Sequence, residues 1–165
     1  EKAIDHVREY VQQLGDINCR VVIICGFLSF NNYEQLIQGS YFVINTSCGE
    51  GQCLPLIEFM SAGVPAVSPR HTAMIDYITD ENSFVVDHSW SWVPWPNDPH
   101  LRFRCMNYPI IWESLVDAFV SSFEVAANKP DRYKRMSDSA RKTMFEICSK
   151  ETFERKFLEF LELLG

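Results

Sequence analysis

Positive charge is scarce in this 165-residue chain. Lysine and arginine total 15 against 22 aspartates and glutamates, a formal net charge of −7. An acidic field of that size disfavours nucleic acid and anionic membrane surfaces as partners. A phosphate-bearing ligand is still admissible, because helix ends and single cations hold one locally. Lysine is absent from residues 3 to 128, which removes the Schiff-base lysine that a pyridoxal phosphate site there would need. No apolar run approaches the ~20 residues of a membrane span. The six cysteines (Cys19, Cys25, Cys48, Cys53, Cys105 and Cys148) form no C-x-x-C pair, and no histidine is spaced to complete a zinc site. The expectation is free thiols in a reducing cytoplasm and no metal.

What is present is ordinary for a globular protein: 47% apolar and 22% charged residues. The length suits one compact domain, taken here as residues 1–165. Glu1 opens directly into a helical pattern, so the chain is expected to be a piece of a longer protein.

Ile4, Val7, Val11 and Leu14 recur at helical spacing, and Gly15 follows as a stop. Residues 20–25 (R-V-V-I-I-C) read as a strand buried on both faces. Asn31 or Asn32 is positioned to cap a helix through Gln38, closed by Gly39. Residues 41–45 predict a second strand, and Pro65–Val67 begin a third. A short helix over Ala73–Ile78 and a fourth strand over 83–86 follow. This alternation argues for an α/β fold with an open parallel sheet flanked by helices. Residues 87–108 break the rhythm as an insertion in which Trp90, Trp92 and Trp95 lie among Pro94, Pro96 and Pro99. Such a stretch is no central strand. Packing against the sheet edge and a flap over a ligand pocket are both open roles for these tryptophans. A helical tail is expected over 109–165, with Phe153, Phe157, Phe160, Leu161 and Leu164 of its last helix in the core.

Chemistry concentrates between Thr46 and Thr72. The helix from Leu54 to Ala62 is apolar almost all round, yet carries Glu58. Burial of that carboxylate is expected, and a buried charge is costly unless a cation, donors or a ligand cleft meets it. In an open parallel sheet, ligands bind beyond the carboxyl ends of the strands. Two loops leave adjacent strands there, Thr46–Gln52 and Ser68–Thr72. The first ends at a helix amino terminus, which favours an anion such as pyrophosphate. Gly49 and Gly51 allow close backbone approach. Glu50 and Glu58 flank the anion site, and carboxylates accept hydrogen bonds from hydroxyls. A ligand with phosphate in the middle and polyols on both sides has the form of a nucleotide sugar. Arg70 is a candidate for the phosphate and Thr72 a further donor-binding candidate; His71 reads more readily as a histidine bonded to backbone than as a general base.

The run Glu50-Gly-Gln-Cys-Leu-Pro-Leu-Ile-Glu58 resembles the E-x7-E motif of retaining GT-B glycosyltransferases, in particular the group called family 4. Glu58-Phe-Met-Ser-Ala-Gly-Val-Pro-Ala-Val67 is similar to that group's E-A-M-A-x-G-x-P-V-V, and Gly26-Phe-Leu-Ser29 with Glu34-Gln-Leu36 to its G-x-[LV]-S…E-L segment. The resemblance implies the Rossmann-like carboxyl-terminal half of such an enzyme, truncated at its amino end and lacking its acceptor domain. It further implies a hexosyl transfer with retention of configuration from a nucleotide sugar to a glycan or lipid-linked acceptor, in the cytoplasm or at the inner face of its membrane. Glu58 would bind ribose hydroxyls and Glu50, the catalytic candidate, hydroxyls of the transferred sugar. The backbone N–H groups of Gln52, Cys53 and Leu54 would meet the sugar or distal phosphate, with Gly51 beside them as a further donor-binding residue. The family carries Phe-Gly where this chain has Gln52-Cys53. No metal or other cofactor is expected, and the piece alone is expected to be inactive. A non-catalytic binding module and a sugar epimerase on the same plan remain as alternatives.

Overall fold

The computed structural model describes residues 2–13, 15 and 18–164. The chain divides into two units, Glu1–Gln35 and Leu36–Gly165. In the first, α1 spans Lys2–Gln13, as the apolar spacing predicts; Leu14 lies outside the described residues. Residues 20–25 correct the reading above. They form no strand, and Val21, Val22, Ile23 and Ile24 are 38–61% exposed. A strand exists only where a ladder partner takes its backbone groups. A β-branched run marks a preference for a pleated, half-buried surface but does not supply that partner. α2 covers Phe30–Gln38. Its cap is Ser29 rather than Asn31 or Asn32: the Ser29 hydroxyl accepts the Asn32 N–H at 3.4 Å, and its carbonyl accepts the Tyr33 N–H at 3.0 Å.

The second unit is built on a parallel sheet of β1 (Val43–Ile44), β2 (Ala66–Pro69) and β3 (Ser83–Val86), in that order. Its register pairs Val43 with Ala66, Ala66 with Ser83, and Pro69 with Val86. β1 is shorter than the predicted 41–45, though Asn45 N–H still donates to Val67 O at 2.9 Å. Between β1 and β2 lies α3 (Leu54–Ser61), with Pro55 in its first turn. The predicted short helix after β2 is a 3-10 turn over Thr72–Asp76. The insertion forms an antiparallel ribbon, β4 (Ser91–Pro94) on β5 (Arg104–Asn107), in a sheet of its own. The tail is helical as predicted: α4 (Trp112–Asn128), α5 (Pro130–Cys148) and α6 (Lys150–Leu164).

Side chains alternate across a strand, so the sheet sorts its core into two layers. Ala66 joins Leu56, Met60, Met74, Ile78, Ala140 and Met144 on the α3–α5 side. Val67 and Val86 join Ala118 on the α4 side, with Phe84 and Leu115 against them. Burial of side chains such as Leu56 and Met60 contributes about 1.5–3 kcal/mol each. Asn82, fully buried, satisfies its amide with Tyr77 O (2.8 Å), Thr143 Oγ1 (3.2 Å) and the Thr79 N–H (2.9 Å). A parallel sheet with helices on both faces and a helical tail is a Rossmann-like α/β arrangement.

α6 departs from expectation. Phe153, Phe157, Phe160 and Leu161 are 46–66% exposed rather than core, the side chain of Leu164 lies outside the described residues, and among the described residues Thr152 is the buried one of this helix. Phe153 and Phe157 stack on each other at 5.9 Å. Helical spacing builds an apolar face; it does not bring the surface that covers it. Among the described residues no helix is long and apolar enough to cross a membrane.

Candidate functional site at the carboxyl edge of the sheet

Three loops leave the carboxyl ends of β1, β2 and β3, and the structure brings them together. The loop after β1, residues 45–53, is pinned to the protein along its length. Ser47 O accepts from His71 Nε2 at 3.1 Å, and Cys48 O from the Tyr108 N–H at 2.8 Å. Glu50 O accepts from the Ala73 N–H at 3.4 Å, and Gln52 O from the Tyr77 hydroxyl at 2.9 Å. Glu50 N–H donates to Thr72 Oγ1 at 3.1 Å. The two loops singled out from the sequence therefore meet, through Glu50 and Thr72.

These bonds have a directional consequence. A trans peptide sets each carbonyl antiparallel to the next N–H, and no peptide among the described residues is cis. With the carbonyls of residues 48, 50 and 52 turned inward, the N–H groups of Gly49, Gly51 and Cys53 point the other way. Cys53 enters α3 in a left-handed conformation, φ 56°, with no side-chain cap on the helix. Its carbonyl takes the Ile57 N–H at 3.3 Å, so the Leu54 N–H points off the helix amino terminus. Open space lies beside Gly49 and Gly51, where an added Cβ would meet nothing within 4 Å. Outward amides, a helix end and room together suit an anion.

Glu50 is half-buried, and its field reaches His71, Cys53 and Tyr77. Burial pushes the Cys53 thiol up, in keeping with a small filler, and pushes the Tyr77 phenol far above its usual range, so Tyr77 stays a donor to the loop. Glu58 is a correction: it is exposed, not buried. Leu54, Glu58 and Ser61 fall on one helical stripe, and α3 turns Leu56, Phe59 and Met60 inward instead. The cost of a buried charge therefore does not apply to it. Arg70 is exposed and lines a cleft of about 430 Å³ with Asp80, which precedes β3, and with Asp87 and His88, which follow it. Trp90, Trp92 and Trp95 are 62%, 55% and 48% exposed on the β4–β5 ribbon, so they do not pack away against the sheet.

His71 is bonded to backbone, as its sequence reading expects, through Nε2 at 3.1 Å from Ser47 O; its pairing with His88 was not foreseen. His71 is 3% exposed and stacks on Tyr108, with ring centroids 4.8 Å apart at 18°. The His88 ring meets it edge-on at 5.0 Å. A signal existed. Each histidine stands two residues beyond a strand end, Pro69 and Val86, and those ends are register partners. Burial, then the charge of His88, holds the His71 imidazole below the usual histidine range. Among the described residues no group of three His, Cys, Asp or Glu side chains is placed to hold a metal ion.

Comparison with known proteins adds one match. No curated protein and no solved structure matches the chain. The family model for glycosyl transferases group 1 matches residues 3–91, a stretch that includes Glu50, Glu58, Arg70 and both histidines. Because that match spans more than half of the 165 residues, the chain belongs to the glycosyl transferases group 1 family, as a GT-B-type glycosyltransferase domain.

Proposed function

We propose that this domain binds the nucleotide-sugar donor of a glycosyl transfer that retains anomeric configuration. The observation that carries the reading is the loop from Asn45 to Cys53: the carbonyls of Cys48, Glu50 and Gln52 are bonded inward, so the N–H groups of Gly49, Gly51 and Cys53 turn away from those bonds, with open space beside Gly49 and Gly51 at the approach to α3. In this reading the N–H groups of Gly51, Cys53 and Leu54, joined by that of Gln52, meet the diphosphate and sugar. Glu50, held by Thr72, accepts hydroxyl protons of the transferred sugar. Glu58, one helical turn on, takes the ribose hydroxyls. Arg70, on the neighbouring loop, is the cation assigned to the phosphates.

The chemistry follows from that placement. Fixed donors at a helix end stabilise the charge that develops on the leaving diphosphate. Orientation of the sugar above them supplies much of the remaining rate. The leaving phosphate oxygen takes the acceptor hydroxyl proton on the face it departs from, so no enzyme nucleophile is required. The acceptor, a glycan or lipid-linked sugar in this reading, approaches from a second domain, and no metal enters the scheme.

Calorimetry with UDP-, GDP- and ADP-sugars on the Glu58→Ala and Glu50→Ala variants tests the reading. Each variant is expected to bind donor about ten- to a hundredfold more weakly, the worth of one or two charge-assisted hydrogen bonds. Removal of exposed Glu58 should move Tm by less than about 2 °C. Unchanged donor affinity in both variants would remove the two acids from the site.

A further inference from the structure

The acid loop is clamped through the His71 side chain, and the clamp has a direction. Ser47 O, 3.1 Å from His71 Nε2, can only accept. Nε2 therefore carries the ring proton, and Nδ1, 3.2 Å from Thr72 Oγ1, is the acceptor for the Thr72 hydroxyl. That hydroxyl oxygen in turn accepts the Glu50 N–H at 3.1 Å. The result is a closed, one-way circuit from Glu50 N–H to Thr72 O–H to His71 Nδ1, and from His71 Nε2–H to Ser47 C=O. Its two ends are three residues apart on the same loop. Tyr108 holds the ring from one face, while its own N–H fixes Cys48 O at 2.8 Å.

We propose that His71, as the neutral Nε2–H tautomer, is a positioning residue that sets the Glu50 carboxylate for the donor through Thr72 and Ser47. The inference rests on the donor-site reading above. A protonated ring has no lone pair for Thr72, whose hydroxyl must then turn and share its oxygen between the ring N–H and the Glu50 N–H. The groups that face His71 are His88 beyond β3, Tyr108 beyond β5 and Glu50 on the acid loop. Burial and His88 disfavour the charged ring, and Glu50 favours it more weakly. The clamp is therefore complete above the ordinary histidine value of 6.5 and loosens as the pH falls through the lowered one. The diphosphate diester of a nucleotide sugar stays ionised over this window, so a fall in donor affinity on acidification reports the protein.

The test pairs imidazole ¹⁵N NMR with donor calorimetry on the full chain. The expected spectrum shows His71 as the Nε2–H tautomer at pH 7, with a midpoint below 6.5, and the Glu50 amide resonance moving with that same midpoint. His71→Phe retains the stack on Tyr108 and removes both hydrogen bonds. It is expected to bind UDP-glucose, GDP-mannose or ADP-glucose (whichever the parent takes) about tenfold more weakly, with the acid-side loss of affinity abolished. His71→Gln, which restores a donor toward Ser47, should recover part of the affinity. An Nδ1–H tautomer, or a Glu50 amide indifferent to His71, would overturn the clamp, and both are read on the parent even where a variant does not fold. A His71→Phe protein that binds donor as tightly as the parent would overturn its role toward the donor. A parent that shows the tautomer and the coupled titration yet binds none of the three sugars would instead defeat the donor reading and leave the clamp standing.

Discussion

At the scale of single residues, burial sorts the candidates. Glu50 was legible as a candidate because it lies in a polar loop between a strand and a helix, and the structure brings that loop to the next one by tying the Glu50 amide to Thr72. Glu58 was legible as a motif member but not in its surroundings. An apolar helix composition suggested burial on all sides, whereas the helix is covered on fewer, and the stripe through Leu54, Glu58 and Ser61 stays exposed. His71 gives a prediction that holds whatever the ligand. Its folded-state pKa lies below the ordinary value, so folding favours the neutral ring. Below about pH 6.5 the unfolded chain takes up a proton that the folded one resists, and stability falls with pH until the lowered pKa is passed. Urea titrations should show the midpoint decline between pH 7 and that lowered value in the parent, and a flatter profile in His71→Phe.

At the scale of elements, termini decide more than interiors do. α3 begins at the left-handed Cys53 and ends before Gly63, whose φ of 89° suits glycine. A Cβ on Gly63 would also lie 2.6 Å from Arg141 Nε, whose guanidinium holds Ala62 O at 3.0–3.2 Å. Gly63→Ala is therefore expected to destabilise by about 1–2 kcal/mol in denaturant unfolding. Asp98 organises the turn between β4 and β5. Its carboxylate accepts the N–H groups of Phe103, His100 and Arg102, and those bonds hold its pKa below the usual carboxylate range. Asp98→Ala should open this turn first, seen as faster proteolysis between residues 96 and 103 with the parallel sheet intact. The same order of the turn is expected to be lost in the wild type as the pH falls through the lowered value of Asp98. Pro130 and the Phe84-Val85-Val86 run made α5 and β3 readable. Residues 20–25 were not, because a strand depends on a partner that the run itself does not specify.

For the molecule as a whole, topology makes the site. Parallel strands in the order β1-β2-β3 put three successive loops on one edge, and the register that pairs Pro69 with Val86 makes neighbours of His71 and His88. The α/β class and this edge were legible from the alternation of elements. Tyr108 was not, since it reaches the site from beyond the inserted ribbon. The net charge of −7 confines anion binding to local amide donors such as those at α3 rather than to a broad field. Amide NMR of the chain titrated with nucleotide sugar reads donor binding at the loop before α3 directly. The largest shifts are expected on Gly51, Cys53 and Leu54, with Glu50 and Thr72 beside them. Saturable binding that shifts other surfaces and leaves the amides of Gly49 to Leu54 unmoved would contradict a donor site at this loop.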